Sequence, residues 1–226
     1  ICALVVVALG IAMPAPRASA QVGSAVTRNA AIGLAHVDVA DLHVTRQPNG
    51  PPRREETLSA RDLADRYARA AAVGAAWHRW SVYWDLADRG GTFDWGVSDD
   101  MVARDVGSGL RSLVVLQGNP PGVAHVTGAP SDLQAPIFLT ADGSCTDDPR
   151  PAANVNPGNT FGRFVAASVR RYRPGGQLAL ERGWSGGQGV GAWQIGNEPN
   201  NRSFWLGSPA EYARLLTGLK SDDLPR

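Results

Sequence analysis

The chain has 226 residues, and its 22 Lys and Arg stand against 21 Asp and Glu. That balance excludes a dedicated nucleic-acid or polyanion binder, which needs a concentrated basic surface. Hydrophobic residues at 43% and charged residues at 19% exclude a disordered or fibrous chain, and two cysteines exclude a disulfide framework or a zinc-finger array.

The run 1–13 (ICALVVVALGIAM) is almost unbroken in its apolarity. It is shorter than the ~20 residues that span a bilayer. Pro14, Pro16, Arg17 and then Ala18-Ser19-Ala20 follow it, so residues 1–20 read as a secretory signal peptide. The alternative is a buried N-terminal strand or helix. Cleavage after Ala20 predicts a secreted or extracytoplasmic protein with no stable membrane insertion. Removing 20 of 226 residues leaves 206, with Cys145 as the one cysteine, free or paired outside this chain.

Residues 31–39 (AIGLAHVDV) read as a first strand and 47–56 (QPNGPPRREE) as a loop. Ser59 and Asp62 form a capping-box pattern before a helix carrying Leu63, Tyr67 and Ala70 or Ala71, which Gly74 ends. The aromatic and β-branched stretch 77–84 (WHRWSVYW) is a second strand. Ser98 opens a second helix with Met101, Val102 and Val106, closed by Gly107 and Gly109. Residues 113–116 (LVVL) form a third strand of the kind buried on both faces of a parallel sheet. The stretch 120–158 is long for an ordinary connection and reads as a functional loop or lid. Thr160 caps a helix with Phe161, Val165, Val169 and Tyr172, stopped by Pro174 and Gly175. A Gly-rich segment leads through Gly189 into a fourth strand, 190–196 (VGAWQIG). Ser208-Pro209-Ala210-Glu211 starts a last helix with Tyr212, Leu215, Leu216 and Leu219. Strand and helix thus alternate four times, which implies parallel pairing. No Gly-x-Gly-x-x-Gly follows a strand and no Gly-x-Ser-x-Gly elbow is present, which disfavours a dinucleotide-binding fold and an α/β serine hydrolase.

Asn197-Glu198-Pro199 directly follows the fourth strand, and the C-terminal ends of parallel strands carry active sites. Glu198 is therefore either an acid or base at that mouth or a plain turn residue before a proline. Arg79, mid-strand, either points into the sheet interior and needs a facing carboxylate, or points outward and snorkels between helices. Trp84 and Trp205 are either platforms for a sugar's C–H face or packing under a loop. Gln117 and Asn119 end the third strand and could hydrogen-bond hydroxyls. His36, His43, His78 and His125 show no metal-ligand spacing and read as ordinary residues, although His36 and Asp38 at the end of strand one could reach a ligand. No metal and no cofactor are expected.

The succession WHRWSVYW, GTFDW, GLRSLVVL, WQIGNEPN, FW and GSPAEYARLL resembles the first half of a clan A glycoside hydrolase, most similar to family 39-like and family 5-like members, over 31–219. The resemblance implies a (β/α)8 TIM barrel truncated here to about its first four βα units, with 21–226 as the N-terminal half. It implies a retaining O-glycoside hydrolase acting on a β-linked oligo- or polysaccharide. Glu198 would be the general acid/base, Asn197 would hydrogen-bond the sugar 2-hydroxyl, and Arg79 would sit under the nucleophile. Partial burial beside a second carboxylate is the environment such an acid needs. The family's nucleophile, a Glu ending strand seven, falls beyond Arg226, so this segment alone is expected to be inactive. Pro120-Pro121 is followed by Gly122-Val123, where family members often carry a Trp. The alternative is a non-catalytic carbohydrate-binding barrel fragment.

Overall fold

A computed structural model describes residues 29–40, 44–45, 53–54, 58–118, 135–148, 150–201, 205 and 207–219. The signal peptide, Asn119 and the Pro120–Val123 stretch lie outside them.

Four parallel strands form the main sheet: β1 (Asn29–Ala35), β4 (Ala75–Tyr83), β5 (Arg111–Gln117) and β9 (Val190–Ile195), hydrogen-bonded in that sequential order. Two-residue strands β2 (Val44–Thr45) and β3 (Arg53–Arg54) pair antiparallel between β1 and the first helix. Helices α1 (Ala60–Ala72), α3 (Gly96–Gly107) and α4 (Thr160–Tyr172) link the sheet strands, and α6 (Pro209–Leu219) follows β9. The alternation of strand and helix is as expected, and the architecture is mixed α/β with a parallel four-stranded sheet. No helix among the described residues is long and apolar enough to cross a membrane.

Side chains alternate between the faces of a strand. On β4 the even positions His78, Trp80 and Val82 are buried, and they continue into Val114 and Leu116 of β5. Trp80, Val82, Val114 and Leu116 pack with Met101 and Val102 of α3, Phe161, Phe164 and Val165 of α4 and Leu215 of α6. Each large apolar side chain removed from water there contributes roughly 1.5–3 kcal/mol before entropy is counted. The odd positions Trp77, Arg79 and Tyr83 lie on the other face and are half-buried, as are Leu113 and Gln117 of β5 and Ala192 and Gln194 of β9.

The stretch expected as one irregular loop holds a second sheet, with β6 (Phe138–Thr140) between β7 (Cys145–Thr146) and β8 (Ala152–Val155), all antiparallel. It is docked by Ile137 and Phe138, both fully buried, and by an ion pair of Asp147 with Arg214 on α6 (2.8 Å). Among the described residues Cys145 is exposed and forms no disulfide. Smaller corrections concern helix starts. Asn159 caps α4, its Oδ1 accepting from the Gly162 N–H (2.8 Å), so Thr160 is already helical. Helix α3 begins at Gly96, and Ser98 is buried inside it. The Gly-rich segment includes a five-residue helix, α5 (Gln177–Glu181). The capping box at Ser208 forms in full, Ser208 Oγ accepting from the Glu211 N–H (3.2 Å) while Glu211 accepts back from the Ser208 N–H (2.6 Å); at Ser59, Oγ accepts from the Asp62 N–H (3.1 Å) and the hydroxyl donates to Asp62 Oδ2 (2.6 Å).

Behind the sheet, Asp105 of α3 is fully buried. Its oxygens accept from Tyr67 OH (2.9 Å), Trp80 Nε1 (3.1 Å) and Ser112 Oγ (2.6 Å), and His78 Nδ1 lies 2.8 Å away. One carboxylate thus joins α1, β4, α3 and β5. Burial, then the adjoining Asp105, holds the Tyr67 hydroxyl well above its ordinary value of 10.0. Burial and then Asp99 do the same to Tyr172, whose hydroxyl donates to Asp99 (2.8 Å). The folded chain therefore keeps two protons that the unfolded chain releases above pH ~10, so it binds more protons than the unfolded state there. Stability is expected to be unaffected by these groups below pH ~10 and to fall above it, by up to ~1.4 kcal/mol per pH unit for each tyrosine. Urea unfolding from pH 9 to 11.5 checks this, with Tyr172→Phe expected to make the fall shallower.

Candidate functional site

The C-terminal ends of the four parallel strands lie side by side, and the sequence-predicted residues fall on them unequally. Arg79 projects from the half-buried face of β4 toward β9, which excludes the outward, snorkelling alternative. Its Nε and Nη2 donate to Gln194 Oε1 (3.2 and 3.1 Å), and Nη2 also donates to Asn197 Oδ1 (2.8 Å). The facing carboxylate expected for this guanidinium is not its partner among the described residues; two neutral amides are. Arginine has no acceptor, so both amide oxygens must turn toward it. The Gln194 amide nitrogen then donates to the Gly196 carbonyl (2.8 Å). Asn197 is left presenting its NH2 away from Arg79, as a donor suited to a hydroxyl oxygen.

Glu198 is exposed rather than partly buried, and its Oε2 accepts from Asn201 Nδ2 (3.2 Å). Its backbone is left-handed, with φ 40°. Among the described residues only one other non-glycine has positive φ: His36, at 53°, immediately after β1. Such conformations cost of order 1–3 kcal/mol and concentrate at functional sites. Both strained residues stand at strand ends on the same side of the sheet.

The loop carrying Glu198 is closed on itself. The Asn201 N–H donates to the Glu198 carbonyl (2.8 Å), and the Trp205 N–H donates to the Asn201 carbonyl (3.0 Å). Trp205 Nε1 donates to the Ser208 carbonyl (3.3 Å), and its ring meets Tyr212 edge-on at 5.4 Å. Tyr212 OH returns to the Ile195 carbonyl at the end of β9 (2.6 Å). Trp205 is half-buried and belongs to this circuit.

Trp84 is not a sugar platform. It is 1% exposed, in the one-turn helix α2 (Trp84–Ala87), stacked on Phe164 (6.1 Å, 17°) and edge-on to Phe161 (5.5 Å). Parity explains the correction: position 84 continues the even, helix-facing positions of β4, opposite to Arg79. The same parity identifies two residues that the sequence reading missed, Ser81 and Tyr83. Gln117 Nε2 donates to Ser81 Oγ (2.9 Å), and Tyr83 pairs in register with Gln117. Asn119 lies outside the described residues.

Gly118, next after β5, has φ 88°, and a Cβ there would lie 2.1 Å from Asp85 Oδ1. Gly118→Ala is expected to cost about 2 kcal/mol, partly backbone strain and partly displacement of Asp85. Urea midpoints check this, and Asp85→Ala in the same chain should recover only the displacement.

The strand ends therefore gather an arginine held by amides, an outward amide donor, a carboxyl on strained backbone, and hydroxyl and amide groups from β4 and β5. This inventory suits recognition of a polyhydroxylated ligand and proton transfer to it.

No family model matches the chain, and no curated protein does.

Proposed function

We propose that the chain is part of a secreted, retaining O-glycoside hydrolase acting on a β-linked oligo- or polysaccharide, and that its four-stranded sheet belongs to a (β/α)8 barrel. The observation that carries the reading is Glu198, held left-handed at the C-terminal end of the fourth parallel strand, directly after an Asn197 oriented by Arg79. In this reading Glu198 gives its proton to the departing glycosidic oxygen, and the second half-reaction returns it from water. Asn197 Nδ2–H donates to the sugar 2-hydroxyl oxygen, a contact that tightens as positive charge grows at the anomeric carbon. Arg79, whose partners among the described residues are neutral amides, lies where it can stabilise the carboxylate that attacks, which the family resemblance assigns to a later strand. His36, Gln117, Ser81 and Tyr83 line the strand ends as hydroxyl-binding groups.

A second reading, a non-catalytic carbohydrate-binding barrel, is favoured by the exposure of Glu198 and by the absence of a carboxylate on Arg79 among the described residues. The full-length gene product assayed on a panel of aryl β-glycosides separates them. Turnover supports the hydrolase; saturable oligosaccharide binding without turnover supports the binder.

A further inference from the structure

The turn after β1 is held by more contacts than a surface turn requires. The His36 N–H donates to the Arg79 carbonyl (3.1 Å). Arg66 of α1 donates through Nε to the Val37 carbonyl (2.6 Å) and through Nη2 to that of His36. Asp38 is 2% exposed, pairs with Arg104 of α3 and accepts from the Ala40 N–H (3.0 Å). Beneath them His78 Nε2 accepts from the Val37 N–H (3.0 Å) and, more distantly, from the Asp38 N–H (3.4 Å). Two backbone N–H groups converge on Nε2, so that nitrogen carries the lone pair and Nδ1 carries the hydrogen facing Asp105. A left-handed non-glycine persists only where its surroundings over-determine it, and these contacts do so for His36.

We infer that His78, with its tautomer set by buried Asp105, is a positioning residue for the mouth of the sheet: by holding the N–H groups of Val37 and Asp38 it fixes the strained turn that presents His36 to the ligand. What His36 contacts rests on the proposed glycosidase reading; the positioning itself does not. The inference extends the site by one layer, from the strand ends to a polar pair behind the sheet.

Two substitutions separate this role from general stability. Asn at 78 brings an amide donor near the place of Nδ1 but leaves Val37 without an acceptor. Gln at 78 brings an amide oxygen to the place of Nε2. Both His78→Asn and His78→Gln should lower global stability. Amide hydrogen exchange of Val37, normalised to Val114 and Val115, should lose about tenfold protection in His78→Asn and stay within about twofold of the parent in His78→Gln. In the full-length gene product assayed on aryl β-glycosides, KM should rise about tenfold in the Asn variant with little change in kcat, and recover in the Gln variant. Equal normalised protection in the two variants overturns the inference. So does a nitrogen-15 spectrum of the unsubstituted protein that puts the His78 hydrogen on Nε2, a measurement that needs no variant to fold. If protection follows the expected order and even the full-length parent turns over no glycoside, the positioning stands and the glycosidase reading fails.

Discussion

Glu198→Gln in the full-length protein is expected to slow hydrolysis of phenyl β-glycosides by about 10²–10⁴-fold. Dinitrophenyl glycosides should suffer far less in the glycosylation step, because a leaving group that departs as a stable anion needs little help from a proton. The pair of substrates therefore reports on acid catalysis itself and not on a damaged fold. Damage is not expected, since Glu198 is exposed and among the described residues its carboxyl accepts from Asn201, a bond that the Gln oxygen can accept equally. Steady-state kinetics with leaving groups of graded acidity, alongside circular dichroism, make the measurement. Equal losses on all leaving groups, or none, would place the acid elsewhere.

Asp105→Ala should be the most destabilising single change among the described side chains outside the apolar core. It strands four buried donors at once: Tyr67 OH, His78 Nδ1–H, Trp80 Nε1–H and Ser112 OγH. One unsatisfied buried group costs about 1–3 kcal/mol, and removing one partner of a buried charged network costs about 3–5. The four losses overlap, so about 4 kcal/mol is expected, or a fall in Tm of about 10 °C for a chain of this length. Ser112→Ala, which removes one donor and leaves three bonds intact, should cost only about 1 kcal/mol. Thermal and urea unfolding give both numbers, and comparable losses in the two variants would deny Asp105 its place as the hub.

Local chemistry made parts of this architecture readable in advance. Ser59 with Asp62 and Ser208 with Glu211 announce their helices because capping acts over three residues. The apolar run of β5 announces a strand buried on both faces. The position of Asn197-Glu198 at a strand end follows from those elements. What stayed hidden has physical reasons. Strands β6 to β8 are two to four residues long, too short for a period of two to stand out, and they are held by tertiary docking of Ile137 and Phe138. The Asp105 hub draws on residues 67, 78, 80, 105 and 112, which form no motif and meet only when α1, β4, α3 and β5 pack. For Trp84 the packing alternative holds, and strand parity decides it: a half-buried Arg79 assigns position 84 to the opposite, helix-covered face.

Among the described residues, four positions at the C-terminal ends of the sheet strands have positive φ: His36, Gly118, Gly196 and Glu198. Glycine occupies two of them, as backbone freedom favours, and at the other two it would relieve the strain outright. His36→Gly and Glu198→Gly would therefore take away an imidazole or a carboxyl while leaving the turn that carries it in its preferred shape.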